Sequence, residues 1–153
     1  MIFINLSNGN DDIILKDFHV LRSNLSIPIT IAGGITNIGN VDDYFIKFGA
    51  DKVSINSSVW NNTINLNSIS KIYGQQSVTV SLDVKKVNNE LHIFNWKKQT
   101  TKHVNLDQLI ETLNKLSCGE VFINDVTRDG TGFGIDSEIA TYFNQNLSKP
   151  LIY

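Results

Sequence analysis

The chain has 153 residues, enough for one domain with its own core, and its 41% hydrophobic and 18% charged content is ordinary for a globular protein. A formal net charge of -2 argues against a nucleic-acid-binding face, and a single cysteine, Cys118, excludes an internal disulfide framework or a thiolate metal cluster. No run approaches the roughly 20 apolar residues of a membrane span, and the opening MIFINLSNGNDD lacks the basic start of a signal peptide, so a cytoplasmic protein free of membrane is expected.

Ile2–Leu6 (IFINL) reads as a strand, and Ile13 to Asn24 as a helix with Ile14, Leu15, Phe18 and Leu21 near helical spacing. Pro28 opens PITIAGG, a strand ending in glycines. Val41–Phe48 is a helix with Tyr44, Phe45 and Phe48 on one side, stopped by Gly49. Asp51–Asn56 is a strand, Asn65–Tyr73 a helix stopped by Gly74, and Ser77–Val84 a strand again. Glu90–Trp96 alternates and belongs to a β-hairpin excursion whose turn is Val87–Glu90. Leu106–Leu116 is an amphipathic helix with Asn105 as its cap, Glu120–Asn124 a strand, Asp136–Asn144 a helix, and Pro150–Tyr153 a strand.

Strands alternating with helices imply a parallel sheet covered by helices, with strands apolar on both sides. Two architectures fit: an open doubly wound sheet and a (β/α) barrel. In both, ligands gather at the carboxyl ends of strands. Those ends carry Asn5 and Ser7, Gly33 and Gly34, Asn56 and Ser57, Asp83 with Lys85 just beyond, and Asn124 and Asp125 followed by RDGTGFG, Arg128–Gly134. Paired glycines let a ligand approach the backbone, and free N–H groups there can hold a phosphate. Taken singly, the glycine pair also reads as a tight turn, Asn56-Ser57 as a helix cap and RDGTG as a turn.

Asp83 is the candidate general acid or base, a carboxylate at the rim of a buried sheet, with Asp129 as its partner carboxylate. An ion pair of Asp83 with Lys85 or Lys86 is the structural alternative. His19, His92 and His103 show no metal-ligand spacing, and no metal is expected. Trp60 and Trp96 read as packing residues, Lys97-Lys98 as an exposed basic turn, and Cys118 as a small buried residue near a strand start.

The segments PITIAGGI (28–35), GADKVSIN (49–56), YGQQSVTVSLDVKK (73–86) and CGEVFINDVTRDGTGFGID (118–136) together resemble the cyclase subunit of imidazole glycerol phosphate synthase and its paralogues in surface-sugar pathways. The resemblance implies a partial (β/α)8 TIM barrel covering about strands 2 to the start of 7, as one incomplete domain over residues 1–153. A complete barrel takes about 250 residues. It implies a heterodimer with a glutaminase subunit that supplies ammonia, and a bis-phosphorylated substrate, a phosphoribulosyl aminoimidazole carboxamide nucleotide, whose imidazole ring is closed. No cofactor is implied.

By the same resemblance Asp83 is a catalytic general acid/base. Gly33, Gly34, Asn56, Ser57, Asn124, Asp129, Gly130 and Thr131 hold substrate or its phosphates. Lys52 and Glu120 belong to an ammonia gate at the opposite mouth, and Asp51 to the glutaminase interface. On their residues alone these last three read as solvated charges at strand starts. The chain departs from the pattern at Asn5, where an aspartate is usual, at Ala32 in place of a third glycine, at Thr127 in place of an aspartate, and around Trp96–Thr101. These departures keep two alternatives open: a paralogue partnering an amidotransferase in surface-polysaccharide sugar amidation, and a non-catalytic phosphate-binding remnant.

Overall fold

The computed structural model describes residues 1–5, 18, 20–96 and 98–153. Leu6, Ser7, His19, Lys97 and half of the expected helix 13–24 lie outside them, although Phe18 and residues 20–24 are helical. The strands are β1 (Ile2–Ile4), β2 (Thr30–Ala32), β3 (Lys52–Ile55), β4 (Val78–Val87), β5 (Glu90–Asn95), β6 (Thr100–His103), β7 (Glu120–Asp125) and β8 (Leu151–Ile152). The fully described helices are α1 (Ile38–Ile46), α2 (Ser57–Trp60), α3 (Leu66–Tyr73), α4 (Leu106–Lys115) and α5 (Ser137–Asn146).

Strands β1, β2, β3, β4, β7 and β8 pair in parallel, each with the next, in chain order. A doubly wound sheet reverses its strand order at a switch point. The order here never reverses, which is the winding of a (β/α) barrel. The fold is therefore α/β, with the parallel sheet of a partial TIM barrel. The hairpin strands β5 and β6 leave this path as antiparallel additions to the end of β4.

Helix starts explain part of the asparagine content. Asn37, Asn65 and Asn105 each accept backbone N–H groups of the first turn, of Asn40, of Asn67 and Ser68, and of Gln108. Asn40 answers Asn37 in a reciprocal capping box, so α1 begins three residues before the expected Val41. The four-residue α2 has no counterpart among the elements expected from sequence. Strand β4 runs on to Val87, past the expected Val84, and Lys85 stands within it. Asn88 and Asn89 then turn the chain with φ of 49° and 67°.

Contrary to the expectation from sequence, the strands are not apolar on both sides. Their helix-facing side holds Val53, Ile55, Val78, Val80, Leu82, Val84, Val121 and Ile123, packed against Val41, Phe48, Ile69, Leu113 and Phe143. Burying each such side chain is worth about 1.5–3 kcal/mol. Strand alternation places Lys52, Ser54, Thr79, Ser81, Asp83, Glu120 and Asn124 on the other side, which is polar on β3, β4 and β7 apart from Phe122. Cys118 is buried, as expected, and burial pushes its thiol up.

Candidate active site

The polar side of β3, β4 and β7 forms a column along the strands, in three layers. At the amino ends, Lys52 Nζ meets Glu120 Oε2 at 2.7 Å and the Thr79 hydroxyl donates to Glu120 Oε1 at 2.6 Å. In the middle the buried hydroxyls of Ser54 and Ser81 hydrogen-bond each other. At the carboxyl ends stands Asp83, only 8% exposed. The Trp60 indole donates to the Ser81 carbonyl at 2.9 Å, so Trp60 packs and also braces the middle layer.

Among the described residues Asp83 makes no ion pair. Asn56 Nδ2 donates to its Oδ2 at 2.7 Å and Asn124 Nδ2 to its Oδ1 at 2.8 Å. The alternative partners are engaged elsewhere: Lys86 pairs with Asp136 and Glu138, each at 3.4 Å, and the Lys85 ammonium lies over the Phe94 ring. Each carboxylate oxygen thus receives one neutral amide donor from a neighbouring strand. This fixes the plane of the carboxylate and adds no positive charge beside it. Asn56 does not cap α2, since its side chain reaches Asp83 instead.

The two glycines at the end of β2 differ. A Cβ on Gly33 would stand 2.1 Å from the Asn5 carbonyl oxygen, so β1 comes too close for any side chain. Gly34, at φ +67°, is exposed and would meet only the Tyr44 hydroxyl at 3.4 Å. That hydroxyl donates to the Gly33 carbonyl at 2.9 Å and accepts from Asn5 Nδ2 at 3.1 Å. Asn5 and Tyr44 therefore lock the turn, and Gly34 is the glycine left open to a ligand. Ser57, half-buried, starts α2 beside it.

After β7 the chain forms an exposed loop that carries Asp129, Gly130 and Thr131. Among the described residues no hydrogen bond joins the Asp129 side chain to Asp83, and the structure does not bring these two carboxylates into contact. Asp125 and Asp136, both buried, anchor the loop. Asp125 accepts from the Thr127 N–H at 3.0 Å and from its hydroxyl; Arg128 lies 3.9 Å from Asp125 and 3.7 Å from Asp136. Asp136 also caps α5. Burial works against its charge, yet the Ile139 N–H and the cations of Lys86 and Arg128 prevail and hold its carboxyl below the usual range. Sequence reasoning named neither acid as an anchor. The faint signals were Asp125 two residues before Thr127 and Asp136 directly before a helix.

At the opposite mouth Lys52 and Glu120 form a half-buried ion pair and are not solvated strand-start charges. Asp51 is occupied within the chain: it accepts the Ile29 N–H at 2.8 Å and faces Arg22 at 3.3 Å. A helix-side cavity lined by Val59, Asn65, Leu66 and Lys115 shares no residue with the column. Among the described residues no cluster of three or more His, Cys, Asp or Glu could hold a metal, and no helix is long and apolar enough to cross a membrane.

A family model described as "Histidine biosynthesis protein" matches residues 3–153. Imidazole glycerol phosphate synthase subunit HisF of Chlorobaculum parvum is 29% identical over 154 residues, covering 99% of this chain and 61% of that protein. The HisF subunit of Sulfolobus acidocaldarius is 32% identical over 91% of this chain and 54% of its own length. That of Sulfurisphaera tokodaii is 35% identical over 84% and 51%. The chain spans between about half and three-fifths of the length of these curated relatives.

Proposed function

The chain belongs to the histidine biosynthesis protein family, and we propose that it carries the central strands of a ring-closing cyclase of the imidazole glycerol phosphate synthase type. The observation that supports this reading best is Asp83, a rim carboxylate oriented by two amides with, among the described residues, no cation beside it. In this proposal Asp83 moves protons as ammonia adds to a bis-phosphorylated aminoimidazole carboxamide nucleotide and the ring closes. Its charge is available to the substrate because Asn56 and Asn124 contribute only dipoles. Gly34 and Ser57 hold one phosphate through backbone and hydroxyl donors, with Gly33 shaping the turn. Asp129, Gly130 and Thr131 contact substrate from the loop after β7. Asn56 and Asn124 keep a role in substrate binding through the remaining atoms of their amides.

Ammonia enters from a glutaminase subunit docked at the opposite mouth, past Lys52 and Glu120 and near Asp51. The residues of 1–153 act as part of one barrel domain, in a heterodimer with that glutaminase. The test is turnover by the protein that carries this chain, measured with ammonium salts and separately with glutamine plus the glutaminase. Asp83→Asn is expected to abolish both, and Lys52→Met to reduce only the glutamine-driven rate. Wild-type turnover in Asp83→Asn overturns the reading.

One observation favours a second reading, a paralogue serving an amidotransferase of sugar amidation. Asn5 replaces the usual aspartate and spends its amide on Tyr44, so it adds no second acid beside Asp83. Restoring an aspartate at position 5 separates the two: raised ring-closing turnover favours the paralogue, and unchanged turnover favours the cyclase.

A further inference from the structure

The hairpin face on the side of Asp83 carries a group of residues that the site above does not use. Lys85 stands two residues beyond Asp83 on β4 and so shares its face. Register pairs Lys85 with His92, and His92 with His103, giving one row of three basic side chains across β4, β5 and β6. The two imidazoles meet edge to face at 5.4 Å. The counter-charge is thin. Glu90 reaches His103 at 3.6 Å from an exposed position, and among the described residues no carboxylate pairs with Lys85. His92 Nδ1 is buried with no hydrogen-bond partner among the described residues.

Aromatic rings continue the same face. Phe94 follows His92 by two residues and lies under the Lys85 ammonium at 5.8 Å. Trp96 follows Phe94, packs edge-on against it at 4.8 Å and is 53% exposed, which is more open than a packing role requires. The opposite face of the hairpin turns Leu91 and Ile93 into the helix-side core, and on the basic and aromatic face His103 and Trp96 are exposed while Lys85, His92 and Phe94 are half-buried.

We infer that this hairpin face binds a phosphomonoester attached to a planar ring, with the phosphate among Lys85, His92 and His103 and the ring against Phe94 and Trp96. An anion there accepts from the Lys85 ammonium and from imidazole N–H groups, and the aromatic pair supplies area for a flat ring. The inference rests on the proposal that the substrate is a phosphorylated heterocycle, and it assigns that heterocycle a wall which the strand-end turns do not provide.

The test is titration of the chain with adenosine 5'-monophosphate, followed by calorimetry and by the imidazole resonances of His92 and His103. Inorganic phosphate and adenosine serve as comparison probes. The expected result is saturable binding of the nucleotide that shifts both imidazoles, tighter than binding of either comparison probe. Lys85→Met and the exposed-site variant His103→Gln, each with a wild-type circular dichroism spectrum, should weaken it by about tenfold. Ser57→Val should leave the nucleotide-induced shifts of the His92 and His103 resonances unchanged, because Ser57 belongs to the strand-end turn and not to the hairpin. Lack of saturable binding, or equal affinity in the Lys85 and His103 variants, overturns the inference. So does phosphate binding as tightly as the nucleotide, which would mark a bare anion site. If Ser57→Val alone removes binding, the hairpin assignment fails while the strand-end phosphate reading stands.

Discussion

The two ends of the polar column each hold one carboxylate, and they hold it differently. At the amino ends, Glu120 is matched by the ammonium of Lys52 and by the Thr79 hydroxyl, so its charge is cancelled within the protein. At the carboxyl ends, Asp83 receives two amide N–H donors and, among the described residues, no cation. The first arrangement holds the structure together. The second orients a charge and leaves it to be used by whatever binds at the rim. The difference arises from β3 and the residue directly after it, whose alternate positions run Lys52, Ser54 and Asn56, a cation at one end and an amide at the other.

The comparison can be broken or sharpened by substitution. The largest effect on stability is expected at the rim glycine that touches β1. Gly33→Ala drives a methyl into the Asn5 carbonyl and should cost about 3 kcal/mol or more in urea unfolding. Removing one amide from Asp83 is next. Asn124→Val leaves the carboxylate held on one side and should lower turnover about 10- to 100-fold, with a smaller change in substrate affinity. Gly34→Ala meets no backbone, so only its left-handed conformation is penalised, at about 1 kcal/mol. A gap of about threefold between the two glycine variants would bear out the division of the turn into a packed and an open glycine.

The smallest effect concerns the loop anchor. The Asp136 carboxyl titrates below its ordinary range in the folded chain. Its contribution is therefore present above the ordinary carboxylate value of about 3.9 and is lost as the pH falls through the lower folded value. Asn is also a good helix cap, so Asp136→Asn removes the charge and keeps the cap. The variant should be less stable than wild type by under about 1 kcal/mol near pH 6, by urea unfolding, and the difference should shrink as the pH is lowered past the ordinary carboxylate value of about 3.9.

Much of the fold was legible because its signals are local. Helix α4 and its cap Asn105 follow from spacing and one side chain, and the parallel sheet follows from repeated strand–helix alternation, whereas its barrel order was implied only by the family resemblance. Strand β6 was not legible: Thr100–His103 is exposed throughout and shows no apolar alternation. In the sequence the charges of Lys85 and Lys86 look like a terminus and predict an end for β4 at Val84, yet hairpin pairing carries the strand through them. At the site, residue identity pointed to Asp83, but its environment could not be read. Its two amides come from residues 27 and 41 positions away, and only the register of three parallel strands brings them together.

Urea unfolding of Asp83→Asn beside Lys52→Met tests the central contrast most directly. Either neighbouring amide can turn over to offer its oxygen to the amide that replaces the carboxylate, so Asp83→Asn should stay within about 0.5 kcal/mol of wild type. Lys52→Met strands a half-buried carboxylate and should lose about 2 kcal/mol. A large loss in Asp83→Asn together with none in Lys52→Met would contradict the account, for Asp83 would then be a structural charge and Glu120 the uncommitted one.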